Sequence, residues 1–257
     1  MKALPKIVKR IIGVLFALLV ILLVLAVAFK IYSVDFYRSD DTVATEFQEK
    51  AGGNVVIYQD DDGEVFLPKN QDYKAVIVFY PGGKVEYTAY SGLMYELADR
   101  GFICLLPRMP ENLAFLRVNA FDVLTKDYKD QVDTVEHLDW YLAGHSLGGV
   151  AATKYLESTE EDFAGLILCA SYVTVDMSDT DYRLLSIYGS EDKVLNMENY
   201  EGSKALWPAD AKEYVIQGGI HSYFGNYGIQ DGDGVPSITN EQQIVETADV
   251  ISTFLAE

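Results

Sequence analysis

The sequence predicts an α/β fold: a mostly parallel sheet flanked by helices, with no large cap domain, preceded by one N-terminal transmembrane helix. Three observations predict it. Short, wholly apolar runs alternate with amphipathic stretches along residues 54–257, the pattern of a sheet covered on both faces and joined by right-handed crossovers. An unbroken run of 19 uncharged residues, Ile11 to Phe29, lies near the start of the chain. Only 13 residues separate the apolar run ending at Ala170 from the one starting at Leu184, too few for an inserted cap, so an open site is expected.

The apolar run comes first. As a helix, 19 residues span roughly 28 Å, close to the hydrocarbon thickness of a bilayer, and the run lacks the polar face that a buried core helix shows. Lys2, Lys6, Lys9 and Arg10 precede it, whereas Lys30 and Arg38 follow among Asp35, Asp40 and Asp41. The positive-inside bias then assigns residues 1–10 to a cytoplasmic basic tail, 11–29 to a single-pass cell-membrane anchor and the remaining chain to the extracytoplasmic side. A cleaved signal peptide is the rival, because Ala26-Val27-Ala28 resembles a small-x-small cleavage site, and it would yield a secreted domain. Residues 30–53, polar and ending in Gly52-Gly53, read as a stalk.

Within residues 54–257, Val55–Gln59 and Val65–Leu67 flank the turn Asp60-Asp61-Asp62-Gly63 and read as a hairpin. Ala75–Tyr80 is a continuous apolar strand, followed by a helix from Tyr90 to Arg100 that Gly101 closes. A strand at Phe102–Leu106, a helical stretch at Val118–Tyr128 and a strand at Trp140–Ala143 come next. A helix over Gly148–Glu157 then leads to strands at Ala164–Ala170 and Leu184–Tyr188. A helix over Met197–Leu206, a strand at Glu213–Ile216 and a helix over Glu241–Leu255 complete the series.

Composition narrows the function classes. Of the 257 residues 49% are apolar, enough for a sizeable core. The formal charge is −19, and the first 30 residues hold +5 of it, leaving −24 on the rest. So acidic a domain repels phosphate backbones, which excludes nucleic acid as an expected partner. Cys104 and Cys169 both sit in apolar strand runs, where cysteine behaves as a small hydrophobe. Asp60-Asp61-Asp62-Gly63 and Asp231-Gly232-Asp233-Gly234 lack the full ligand spacing of a calcium loop and read as turns.

Chemistry concentrates at Gly144-His145-Ser146-Leu147-Gly148. This G-x-S-x-G pentapeptide directly follows an expected strand and opens an expected helix. In that context the turn must be sharp enough to lift Ser146 Oγ above the sheet, and the glycines let strand and helix approach. The Leu147 N–H then lies at a helix N-terminus, where a developing oxyanion is stabilised.

A hydroxyl needs a base, and the chain holds three histidines. His145 sits inside the turn and is read as packing or orienting. His137 precedes the strand that leads to the turn, at the opposite end of the sheet. His221 follows the strand Glu213–Ile216 through Gln217-Gly218-Gly219-Ile220 and is the expected base. The chain order Ser, acid, His makes Asp192, just past Leu184–Tyr188, the expected acid. Glu191 is its alternative, and Asp176, Asp179 and Asp181 are less well placed. Tyr223, Phe224 and Tyr227 could wall an acyl pocket or pack the histidine loop.

On these residues the chain resembles the α/β-hydrolase family over nearly all of residues 54–257. Tyr80-Pro81-Gly82-Gly83-Lys84-Val85-Glu86-Tyr87, Gly218-Gly219-Ile220-His221-Ser222-Tyr223-Phe224-Gly225 and the stretch from Gly228 to Gly234 resemble loops of its dienelactone-hydrolase-like branch. The resemblance implies that Gly83 or Lys84 supplies the second oxyanion N–H. Dienelactone hydrolases proper use a cysteine nucleophile, whereas this chain has Ser146 there, a departure that favours carboxylic ester-type acyl transfer. The expected activity is a serine hydrolase acting on a small-molecule ester or acyl substrate through an acyl-enzyme. That chemistry requires neither metal nor organic cofactor. An acyltransferase on the same three residues, and a non-catalytic adhesion or scaffold module built on the fold, are the alternatives.

Overall fold

The computed structural model describes residues 5–69, 71–126 and 134–257, in two compact units that divide between Phe36 and Tyr37. The first unit is one helix, α1 (Lys6–Val34). An 18-residue window within it has mean hydropathy 3.4 and none of it is buried, so α1 is long and apolar enough to cross a membrane. It is longer than the expected anchor at both ends. Lysine and arginine are good helix formers, so the helix takes up Lys6–Arg10 from the expected tail and runs past Phe29. Residues 1–4 of that tail lie outside the described residues.

The second unit is an eight-stranded sheet in the order β1-β2-β4-β3-β5-β6-β7-β8. Its strands are β1 (Val55–Gln59), β2 (Gly63–Pro68), β3 (Val76–Tyr80), β4 (Ile103–Pro107), β5 (Trp140–His145), β6 (Gly165–Cys169), β7 (Arg183–Gly189) and β8 (Asp210–Ile216). The β1–β2 hairpin and the β2–β4 pairing are antiparallel, and every other pairing is parallel. The hairpin turn is closed by Asp60, whose Oδ1 accepts from the N–H groups of Asp62 and Gly63, as its Asx-rich sequence predicts.

Period-two alternation divides the apolar strands between two cores. Ile77 and Phe79 of β3 face one core together with Phe47, Leu93, Met94, Leu97, Ile244 and Ile251. Val76, Val78 and Tyr80 face the other with Phe121, Leu124, Ala152, Tyr155 and Leu156. The first face is therefore covered by α2 (Asp41–Lys50), α3 (Ser91–Asp99) and a C-terminal helix over Asn240–Leu255, and the second by α4 (Ala120–Thr125) and α5 (Leu147–Ser158). A further helix, α6 (Met197–Ser203), precedes β8, which makes the C-terminal helix α7. A capping box sets the start of α7, with Thr239 Oγ1 on Gln242 N–H and Gln242 Oε1 on Thr239 N–H. The helical stretch expected over Val118–Tyr128 is reduced to α4, and its last two residues lie outside the described residues. Cys104 and Cys169 are both buried and unpaired.

The expected stalk needs correction. Residues 41–50 form α2, capped by Asp40, whose side chain accepts from Thr42 N–H. Its Phe47 is only 1% exposed in the core beneath β3. One aromatic at the right place on a helix is enough to anchor a polar segment, and composition averaged over residues 30–53 hides it. Phe47→Ala should therefore destabilise the domain by about 3–5 kcal/mol. That would be read as a lower denaturant midpoint at unchanged m, with the exposed neighbour Glu46→Ala silent. An unchanged midpoint for Phe47→Ala would return this segment to a stalk.

Candidate active site

The carboxyl ends of the parallel strands carry three of the predicted site residues. Ser146 directly follows β5 and precedes α5, with φ +52° and ψ −124°. A non-glycine residue holds that conformation only when its surroundings enforce it, and two close approaches do so. A Cβ on Gly144 would come within 2.6 Å of the Gly148 carbonyl carbon, and one on Gly148 would overlap the carbonyl oxygens of Tyr80 and Pro81. Ser171, just beyond β6, supports the turn by donating its Oγ–H to the Ser146 carbonyl at 2.7 Å.

His221 and Asp192 meet. Asp192 lies in the turn after β7, and its Oδ2 is 2.8 Å from His221 Nδ1. Asp192 Oδ1 accepts from the N–H groups of Val194 and Leu195, each at 2.8 Å. Both carboxylate oxygens are thus occupied, and the side chains of His221 and Asp192 are 2% and 1% exposed. An ionised carboxylate only accepts, so Nδ1 carries the proton and Nε2 is the basic nitrogen. Among the described residues His221 Nε2 has no hydrogen-bond partner, and no hydrogen bond joins it to Ser146 Oγ. Such contacts are commonly long before substrate binds. Glu191 does not compete, since its Oε1 accepts from Ser190 Oγ. Asp176 is occupied by Ser178. His137 is exposed ahead of β5, away from this edge.

His145 has the orienting role. It is fully buried, its Nε2 lies 3.1 Å from the His221 carbonyl, and its Nδ1 lies 2.8 Å from Tyr90 Oη. Tyr90 Oη also accepts from Gly82 N–H at 3.0 Å. A carbonyl can only accept, so His145 Nε2 donates to it and Nδ1 accepts from the Tyr90 hydroxyl. The relay runs in one direction, from Gly82 N–H through Tyr90 and His145 to His221 C=O, and every polar atom in it is used. Burial first, and the neighbouring His221 second, hold the His145 pKa well below the usual 6.5.

The loop after β3 approaches the start of α5. A Cβ on Gly83 would lie 2.6 Å from Leu147 Cδ1. Among the described residues neither Gly83 N–H nor Leu147 N–H has a hydrogen-bond acceptor. Lys84 is different, and its candidacy as the second oxyanion donor is corrected. At φ +60° its N–H donates to the Asn112 carbonyl at 2.7 Å and is not free to bind a substrate oxygen.

Sequence reasoning missed several residues that hold the histidine loop. Asp233 accepts from His221 N–H at 3.2 Å and from Ser222 N–H at 2.8 Å. Gln243 of α7 clamps Ile220, accepting from its N–H at 2.9 Å and donating to its carbonyl at 2.8 Å. Neither had a spacing signal, because each acts across a fold contact. Phe224 and Tyr227 are buried, with Phe224 5.6 Å from the His145 ring and Tyr227 6.4 Å from Tyr90. They pack the loop.

The arrangement can perform nucleophilic acyl chemistry: a half-buried serine on a strained turn, a carboxylate-oriented imidazole, and the N–H groups of Gly83 and Leu147 at the same edge of the sheet. Comparisons agree at the level of family. A model of the alpha/beta hydrolase family matches residues 76–245. Dienelactone hydrolase from Anabaena variabilis superposes with TM-score 0.56 at 15% identity, covering 79% of this chain and 98% of that one. A soluble variant of monoglyceride lipase from Saccharomyces cerevisiae, solved with a substrate analog, gives TM-score 0.54 at 10% identity, covering 78% and 94%. No curated protein matches the chain by sequence.

The depressed His145 pKa has a checkable sign. Unfolded, this imidazole takes a proton near 6.5; folded, it refuses one until well below that value. The unfolded state therefore binds more protons below pH 6.5, so this group's contribution to stability is full above that pH and falls as the solution is acidified. In NMR titration the His145 ring should stay neutral, with its proton on Nε2, through the pH range in which an exposed imidazole becomes charged. A normal titration near 6.5 would contradict the relay.

Proposed function

The chain belongs to the α/β-hydrolase family, and from that premise we propose that it is a membrane-anchored serine hydrolase cleaving carboxylic ester-type bonds through an acyl-enzyme. One observation carries the reading: Asp192 Oδ2 at 2.8 Å from His221 Nδ1, with the other oxygen of Asp192 already saturated. That leaves His221 Nε2 to take the proton of Ser146 Oγ as the oxygen attacks the substrate carbonyl. The Asp192 carboxylate stabilises the imidazolium that forms. His145, kept neutral by burial, adds no competing positive charge beside it.

The carbonyl oxygen becomes an oxyanion, and the N–H groups of Leu147 and Gly83 are the donors assigned to it. Leu147 also contributes the partial positive charge of the α5 N-terminus. The tetrahedral intermediate collapses, His221 returns its proton to the leaving alkoxide, and Ser146 is left acylated. Water then attacks with His221 as base and releases the acid. The short β6–β7 connection supports an open mouth and a small-molecule substrate. Dienelactone and monoglyceride, named for the two structural neighbours, are both carboxylic esters, which supports the bond class.

Placement follows from the charge asymmetry around α1: basic end in the cytoplasm, domain outside, with cleavage after Ala28 as the alternative. On intact cells added protease should reach the domain without lysis while the first ten residues stay protected. A domain shielded until the membrane is opened would reverse the orientation.

For the chemistry, a fluorophosphonate should label the wild-type chain covalently and Ser146→Ala should abolish labelling and ester turnover together. Asp192→Asn should keep the fold and lower kcat by about three to four orders of magnitude, whereas Glu191→Gln should leave it nearly unchanged. Labelling that persists in folded Ser146→Ala would sink the assignment.

A further inference from the structure

The segment between α1 and α2 crosses both loops of the candidate site, and one residue touches both. The Tyr37 backbone pairs with Val85 as a parallel bridge. Its N–H donates to the Lys84 carbonyl at 2.8 Å, and its carbonyl accepts from Glu86 N–H at 2.9 Å. This fastens Tyr37 to the loop that carries Gly83. Its side chain reaches the other way: Tyr37 Oη accepts from Asp231 N–H at 3.0 Å, and its ring lies 5.7 Å from that of Tyr227. Next along the strap, Ser39 N–H donates to Glu86 Oε2 at 3.0 Å and Asp40 N–H to the Asn226 carbonyl at 2.7 Å.

The loop that Tyr37 Oη grips is the one that holds His221. Asp233, two residues beyond Asp231, accepts from the N–H groups of His221 and Ser222. Gln230, on the other side, donates its N–H to Ser222 Oγ at 3.0 Å. Asp233 N–H in turn donates to the Gln230 carbonyl at 3.2 Å. Displacing Asp231 therefore moves the acceptor that fixes the His221 backbone.

We propose that Tyr37 is a positioning residue, a staple that holds the oxyanion loop and the histidine loop in one register. The inference rests on the serine-hydrolase reading for what the two loops do, while the staple itself is a matter of geometry. Two residues, Asp35 and Phe36, separate Tyr37 from Val34, the end of α1, so the chain of the proposed anchor is continuous with the chain that completes the site. Signal cleavage after Ala28 would leave the staple in the mature protein, so the inference holds for either fate of α1.

The test uses the full chain in detergent micelles, with Tyr37→Phe and Tyr37→Ala. The first keeps the ring and removes the acceptor of Asp231 N–H; the second removes both. With a p-nitrophenyl ester, Tyr37→Phe should lower kcat about three- to tenfold and Tyr37→Ala further, with KM little changed. Hydrogen exchange at the Asp231 amide should speed up at least about tenfold in both, while strands β3 and β5 keep their protection. Wild-type kcat in Tyr37→Ala, or a loss matched by a general fall in protection and melting temperature, would overturn the proposal. If the wild-type chain neither turns over the ester nor takes a fluorophosphonate, the serine-hydrolase reading fails. Exchange at Asp231 still decides the staple in that case: unchanged protection overturns it and faster exchange supports it.

Discussion

Gly148 sits where the backbone after β5 touches the end of β3, and the site depends on that approach. With no Cβ in the way, the first turn of α5 comes against the carbonyls of Tyr80 and Pro81. Three consequences follow from this one contact. The chain must reverse within a single residue, which puts Ser146 at φ +52°. The N-terminus of α5, with its unpaired N–H groups, comes to the same edge as the loop after β3. Gly83 and Leu147 are thereby brought together from stretches more than sixty residues apart. A side chain at 148 would separate all three at once.

Around that contact the protein places buried, fully bonded polar groups, where it could have used apolar packing. Asp192 has both oxygens occupied, Gln243 grips Ile220 in both directions, and Tyr90 with His145 joins Gly82 to the His221 carbonyl. Buried polar groups are costly when unpaired and specific when paired. Their effect is that His221 is held through its ring, its N–H and its C=O by different elements. A site fixed this way needs little reorganisation when charge develops, which is the largest source of electrostatic catalysis.

The strap at Tyr37 to Asp40 extends the same logic to the segment that follows α1. Polar composition made residues 30–53 look like a spacer, yet five of their polar and aromatic groups (Tyr37, Ser39, Asp40, Thr42 and Phe47) have defined places in the domain. A stalk and a docked strap share a composition, because both expose most of their surface to water. They differ in a few backbone hydrogen bonds and one buried ring, features with no periodicity to read.

Apolar periodicity by itself determined the sheet, most of its covering helices and an apolar helix through residues 11–29, since burying continuous runs such as Val76–Tyr80 leaves few arrangements open. It gave neither the ends of α1 nor the docked helix α2. Local chemistry determined the sharp turn at Ser146, because only glycine tolerates the approaches at 144 and 148. Chain order singled out His221 and Asp192. Which N–H groups stay free, by contrast, was decided by tertiary structure: Lys84 has the right sequence position, but the Asn112 carbonyl, on a loop from β4, takes its N–H. Asp233, Gln243, Tyr90 and Tyr37 act on His221 and its neighbours across contacts that exist only after β3, β5, β7 and β8 have aligned their carboxyl ends. Periodicity records how a segment faces its nearest layer. It carries no record of which distant carbonyl or amide a single polar side chain will meet, because that distance is set by the packing of the whole sheet.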